Sequence, residues 1–207
     1  MYQTALSYVF RLSLFAVWIG GSMMVLAAVM VSVDVLARKI LGVTLGGSDE
    51  ISGYLFAVAT AFAFPYAVMH RANVRIDVVY MRLPAVVRGA LDIFGLALLT
   101  GFAGVVTWRA LAMVAVTWKN NSHSITPLHT PLILPQGLWV LGWCLFCLTL
   151  VFLLGGLVVA WLRGNWAEVQ KLGGALSMEE EIEDETKGVL PEKSDPTPDP
   201  RPVAEGV

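Results

Sequence analysis

The chain has 207 residues, of which 57% are hydrophobic and only 14% charged, against roughly 25% charged in an ordinary soluble domain. So few charges cannot cover a water-facing surface, and two cysteines are too few for a disulfide-scaffolded secreted domain, so the composition is that of a membrane protein rather than a soluble enzyme. The formal net charge of −2 divides unevenly: residues 1–163 carry ten bases and five acids, whereas residues 164–207 carry four bases and eleven acids.

The first uncharged stretch, residues 12–33, has 22 residues. A bilayer core needs about 20 apolar residues to be crossed as helix, and a signal-peptide core is only about 7–15 residues long, so this stretch is expected to be retained as a span. Asp34 and Arg38 follow it at the i, i+4 spacing of a helical ion pair. Ser48, Asp49 and Glu50 precede the second stretch, residues 51–69, where carboxylates suit the positive helix end and can cap free N–H groups. Between spans two and three, Ile76, Val79, Tyr80, Leu83, Val86 and Val87 share one side of a 3.6-residue helix flanked by Arg75 and Arg82. That pattern predicts an amphipathic helix lying in the membrane interface, broken by Pro84, which can also begin span three. Span three is interrupted by Arg109, expected near one end where its stem can snorkel to the interface. Residues 132–162 are 31 uncharged residues, long enough to span with tilt or to begin as a loop at Pro135.

The predicted fold class is therefore an all-α membrane protein with four transmembrane helices and an interfacial helix between spans two and three. The membrane domain is 1–163, with spans at about 12–36, 50–69, 85–118 and 132–162 and the interfacial helix at about 74–83. Residues 164–207 form an acidic, proline-rich tail expected to be mostly disordered. Placing both termini and the 70–92 connection in the cytoplasm puts seven bases inside against three outside, as the positive-inside rule favours.

Little in the sequence carries chemistry. Cys144 and Cys147 form a C-x-x-C, but deep within span four, where thiolate formation is disfavoured. His70, His123 and His129 lie at or beyond span ends, unsuited to axial haem ligation inside a bundle. No acid lies near mid-membrane, whereas ion-coupled carriers use such acids or broken helices. Catalytic, cofactor-binding and metal-ligating residues are accordingly expected to be absent. Gly53, Ala57, Ala61 and Pro65 recur every four residues in span two and form a smooth stripe that either packs within the chain or docks a second protein. Val58, off the stripe, is expected to meet lipid.

Residues 31–39 (VSVDVLARK), 47–56 (GSDEISGYLF) and 64–83 (FPYAVMHRANVRIDVVYMRL), in that order and spacing, resemble the small, four-span (Q-type) membrane subunit of the tripartite ATP-independent periplasmic (TRAP) transporters. Arg38, Ser48, Asp49, Glu50, Arg75, Asp77, Leu83 and Pro84 match, whereas Asn73 stands where the family usually has histidine and Gly47 where it often has tryptophan. The resemblance implies a bacterial inner-membrane scaffold that docks on a large permease subunit. That larger subunit would hold the sodium and substrate sites and move substrate by an elevator motion. A periplasmic substrate-binding protein would deliver an organic acid, a dicarboxylate or related carboxylate, and no nucleic acid is involved. The candidate partner interface combines the stripe (Gly53, Ala57, Ala61 and Pro65) with Arg38, Glu50, Arg75 and Asp77. Two other classes share the sequence features: a generic four-span assembly factor, and a free-standing redox protein using Cys144 and Cys147.

Overall fold

The computed structural model describes residues 2–44, 46–70, 84–126, 128–164 and 169. Four helices run through them: α1 (Tyr2–Leu41), α2 (Ser48–Met69), α3 (Ala85–Asn120) and α4 (Ile133–Leu162). Each is long and apolar enough to cross a membrane. Helix is the expected outcome for such segments, because a backbone in hydrocarbon must satisfy its own N–H and C=O groups. The interfacial helix predicted at about 74–83 lies outside the described residues, as does nearly all of the tail.

The helix ends follow local chemistry. Pro84 sits just before α3 as its N-cap, in extended conformation (φ −62°, ψ 150°), and its carbonyl accepts from the Arg88 amide at 3.1 Å. Proline has no N–H to lose there, so it starts the helix without cost. At the other end of α3, Asn121 turns left-handed (φ 46°), and the Ser122 amide reaches back to the Thr117 carbonyl at 3.1 Å. This six-to-one bond is the Schellman closure of a helix end. Pro135 falls in the first turn of α4 rather than in a loop. The 40 residues of α1 run about 60 Å, twice the thickness of a hydrocarbon core of about 30 Å. The helix begins at Tyr2 rather than near residue 12 because no glycine or proline interrupts residues 2–11.

Neighbouring helices are ordered α1–α2–α4–α3. α1 packs on α2, α2 on α4 and α4 on α3, while α1 also touches α4. One cluster joins α1 to α2 through Ala16, Val58 and Phe62, with Trp139 and Leu145 of α4 behind them. A second joins α3 to α4 through Ala103, Phe146 and Leu150, against Phe64 and Val68 of α2. Val58 is 2% exposed. The expectation that it meets lipid is therefore wrong: the α1 contact takes that face of α2.

A tight contact lies between α2 and α4. A Cβ placed on Gly142 would stand 2.8 Å from the Ala61 Cβ, 2.8 Å from Phe62 Cδ1 and 2.9 Å from the Ala61 carbonyl carbon. Only glycine fits, because one of the obstacles is backbone. Arg109 sits inside α3, which continues unbroken to Asn120 because arginine is itself a good helix former.

Gly142→Ala is expected to push α2 and α4 apart and lower stability by about 1–3 kcal/mol, the usual cost of overpacking. A fall in the thermal midpoint of the purified chain in detergent checks this, and an unchanged midpoint would show that the helices separate freely at that level.

Candidate partner-docking surface

Two polar groupings form at the end of the bundle where α1 finishes and α2 starts. In the first, Asp34 is 2% exposed, although it lies on an apolar helix. The Arg38 guanidinium donates to its Oδ2 at 2.6 Å, and the Thr44 hydroxyl donates to its Oδ1 at 3.2 Å. One carboxylate thus holds both the last turns of α1 and the loop that follows. Arg38, 57% exposed, keeps one side open to whatever lies beyond.

The second grouping centres on Glu50, in the first turn of α2. Asp49 and Glu50 both fall in the first turn of α2, where carboxylates suit the positive helix end, while the N-cap residue, Gly47, makes no side-chain cap bond. The Glu50 carboxylate accepts from the Tyr54 hydroxyl at 2.8 Å and from the Thr126 hydroxyl. Thr126 belongs to the α3–α4 connection, which folds back on itself. The Ser124 amide donates to the Thr130 carbonyl at 2.9 Å, the Leu132 amide donates to the Ser122 carbonyl at 3.1 Å, and His123 bridges to Pro131. Gly47, the N-cap of α2, has φ 99° and faces Leu128 of this connection. A side chain there would need both a strained backbone and the space Leu128 occupies, which gives a physical reason for glycine at this position.

The stripe on α2 is divided. Ala61 (0% exposed) and Pro65 are buried within the chain, Ala61 against Gly142 of α4. Ala57 is half-buried, and Gly53 is exposed with nothing near its Cβ position. Only the half nearest Glu50 is open to another helix. Arg75, Asp77 and Asn73 lie outside the described residues. The structure therefore brings Gly53, Ala57 and Glu50 to one stretch of α2, with Arg38 and Asp34 at the same end of the bundle.

The remaining chemistry-bearing residues have local roles. His70, the C-cap of α2, stacks on Tyr66 (ring centroids 3.9 Å) and on Phe10 of α1 (5.6 Å). His123 Nδ1 lies 2.7 Å from the Asn121 carbonyl oxygen. Cys144 and Cys147 are unbridged on α4. Among the described residues, no group of three or more His, Cys, Asp and Glu is placed to hold a metal ion.

Tyr54, Thr44, Thr126 and Gly142 were not singled out from sequence. Tyr54 is legible in retrospect, four residues after Glu50 on one helix face. The loop threonines are not, because their partners are set by how the connections fold back.

Residues 27–159 match the family model described as tripartite ATP-independent periplasmic transporters, DctQ component. The match enters within α1, ends within α4, and so takes in the Asp34 and Glu50 groupings and the whole stripe. No curated protein and no solved structure matches.

Removing either carboxylate should loosen a connection while leaving the helices in place. Glu50→Ala is expected to raise amide exchange in residues 122–130 severalfold, and Asp34→Ala to raise it in residues 42–46. For Asp34 the loss of two charge-assisted bonds is worth about 1–2 kcal/mol, reduced because Arg38 is half in solvent. Hydrogen exchange by mass spectrometry reads both, and unchanged exchange in either segment would show that the connection is held by other contacts.

Proposed function

The chain belongs to the DctQ component family of the tripartite ATP-independent periplasmic transporters, and from that premise we propose that it serves a sodium-coupled transporter of organic acids, a dicarboxylate or a related carboxylate. As a member of that family it is a small permease subunit of the inner membrane, non-catalytic, that associates with a large permease subunit and a periplasmic binding protein. The sodium coupling and the class of solute are our reading.

The observation that carries the scaffold role is where the acids of the helices lie. Asp34, Asp49 and Glu50 stand at one end of the bundle and Asp92 near the start of α3. A carrier that binds an ion or a carboxylate at mid-membrane needs charged side chains or exposed backbone there. The four helices offer neither an acid at that depth nor a break in their backbone. The chain then contributes to transport by widening the static part of the complex against which the large subunit moves.

Both termini are assigned to the cytoplasm on the seven-to-three distribution of bases. The 42–47 and 121–132 connections would then face the periplasm. Glu50, Thr126 and Asp34 hold those connections in one shape, which suits a surface met repeatedly by a soluble binding protein. Arg38, Gly53 and Ala57 are the accessible members of the proposed partner surface, with Arg75 and Asp77 on the opposite, cytoplasmic side. The acidic tail beyond Gly174 is proposed to be dispensable for assembly, because its composition lacks a core-forming face.

Reconstituted alone, the chain is expected to move no organic acid. With its large subunit and binding protein it should support uptake that collapses with the sodium gradient. Radiolabelled uptake into proteoliposomes distinguishes the cases, and saturable transport by the isolated chain would overturn the scaffold role. Reporter fusions check the orientation: a fusion after Asn121 should report periplasm and one after Arg163 cytoplasm, and the reverse pattern would invert the assignment.

A further inference from the structure

Arg109 occupies a position that the isolated chain does not account for. It lies eleven residues before the end of α3, about 17 Å along the helix axis, or roughly half of a hydrocarbon core of about 30 Å. Cross-helix contacts fix the same level independently. Thr107, two residues away, has its hydroxyl 3.5 Å from the Trp143 carbonyl oxygen, and the Trp143 ring meets Phe64 at 5.6 Å. Gly142 in turn abuts Ala61. Arg109 is thus level with the interior of α2, a helix whose 22 residues just span the bilayer.

At that depth Arg109 points away from the bundle. The α3 side that packs on α4 carries Ala103, Thr107 and Ala110, all buried. Arg109 is exposed, on a stripe with Leu98, Phe102, Val105, Ala112 and Val116, the larger of which are 57–65% exposed. Arg109 makes no hydrogen bond or ion pair with any described residue. A cation facing hydrocarbon at the bilayer centre is costly, and such residues almost always pair or face a protein interior.

Three neighbours could relieve that cost. From the centre of a hydrocarbon core of about 30 Å a lipid phosphate is about 15 Å away, so snorkelling to it would also need local thinning or water entry, each at a cost. A second copy of the chain offers no acid at that level among its described residues, since Asp34, Asp49, Glu50 and Asp92 all stand toward helix ends. A different membrane protein remains. We propose that the α3 face carrying Arg109 is a docking surface for the large permease subunit, separate from the Arg38, Gly53 and Ala57 surface, and that this subunit presents a carboxylate to the guanidinium at mid-membrane. The inference rests on the functional reading above and adds to it the face, the depth and the chemistry of the contact. α3 is suited to the role by position, because α4 is its main neighbour among the described helices. A guanidinium can engage a carboxylate through two parallel N–H···O bonds, which fixes register as well as adding attraction. In lipid, where apolar contact alone gives little drive, one such pair sets which partner binds and at what height.

The test is co-purification of the tagged chain with its co-expressed large subunit from mild detergent. Arg109→Leu is expected to accumulate in the membrane at wild-type level and to recover at least about tenfold less large subunit, as for a desolvated pair that has lost one partner. Arg109→Lys should retain more than Arg109→Leu because it keeps the charge, and Val105→Trp should weaken recovery through shape alone. If Arg109→Leu binds at wild-type strength, the docking face is wrong while the scaffold function stands. If Arg109→Leu fails to accumulate, Arg109 supports the chain's own fold and the proposal is likewise overturned. If the wild-type chain itself recovers no large subunit, the functional reading fails and takes the docking face with it.

Discussion

The arrangement of this protein depends on a contact with no room for a side chain, where Gly142 of α4 lies against Ala61 and Phe62 of α2. The physical setting explains why so much rests on it. Between helices in water, burial of apolar surface supplies the attraction, and imperfect fit is tolerated. Between helices in lipid the surroundings are as apolar as the interface, so only close van der Waals contact and hydrogen bonds distinguish association from dispersal. Small residues at the crossing let two backbones approach, and the larger rings around them (Phe64, Trp143, Phe146) fill the space on one side. With α4 held against α2, α1 packs on α2 and also touches α4, and α3 packs on α4.

The same setting reverses the usual reading of exposure. α1 and α3 present many large apolar side chains outward, among them Phe15, Trp18, Phe94 and Trp108. In a soluble protein such surfaces mark an interface or an aggregation hazard; in a membrane they are the normal lipid-facing surface. What stands out instead is polarity. Asp34 is buried, and Arg38 on the last turns of α1 and Thr44 on the loop beyond both donate to it. Arg109 is outward-facing at mid-depth with no partner in the described chain. The first is a completed interaction and the second an open one, and that contrast separates what stabilises the subunit from what it offers to another.

This division suits a subunit whose work is to be a fixed surface. The connections at this end of the bundle are held by hydroxyl-to-carboxylate bonds within the chain, from Thr126 to Glu50 and from Thr44 to Asp34. The helices are continuous, without the broken segments that carriers use to build ion sites. A scaffolding subunit has to hold its shape, and a chain with close helix contacts and no mid-membrane acid among its described residues meets that need.

Much was legible in the sequence by itself. Length and the scarcity of charge in four stretches determined four helices able to cross a membrane, because hydrocarbon leaves a backbone no other way to satisfy its hydrogen bonds. The spacing of Asp34 and Arg38 placed the two on one face of α1, and the order of short motifs pointed to the family. The sequence could not say which half of the α2 stripe was already taken. Ala57 and Ala61 are the same residue type one turn apart, yet one is half-buried and the other is sealed by Gly142, more than eighty residues later. Val58 was assigned to lipid on helical geometry alone, which gives a residue's direction but not what lies in that direction. Glu50 was placed at the positive helix end, and its loop partner Thr126 was missed because it is distant in sequence. The depth of Arg109 likewise emerged only when Thr107, Trp143 and Phe64 were seen side by side, since position across a bilayer is a relation among helices. Periodicity and hydropathy are properties of one segment and survive folding unchanged. Neighbours, register and depth are properties of pairs of segments, and only the tertiary structure decides them.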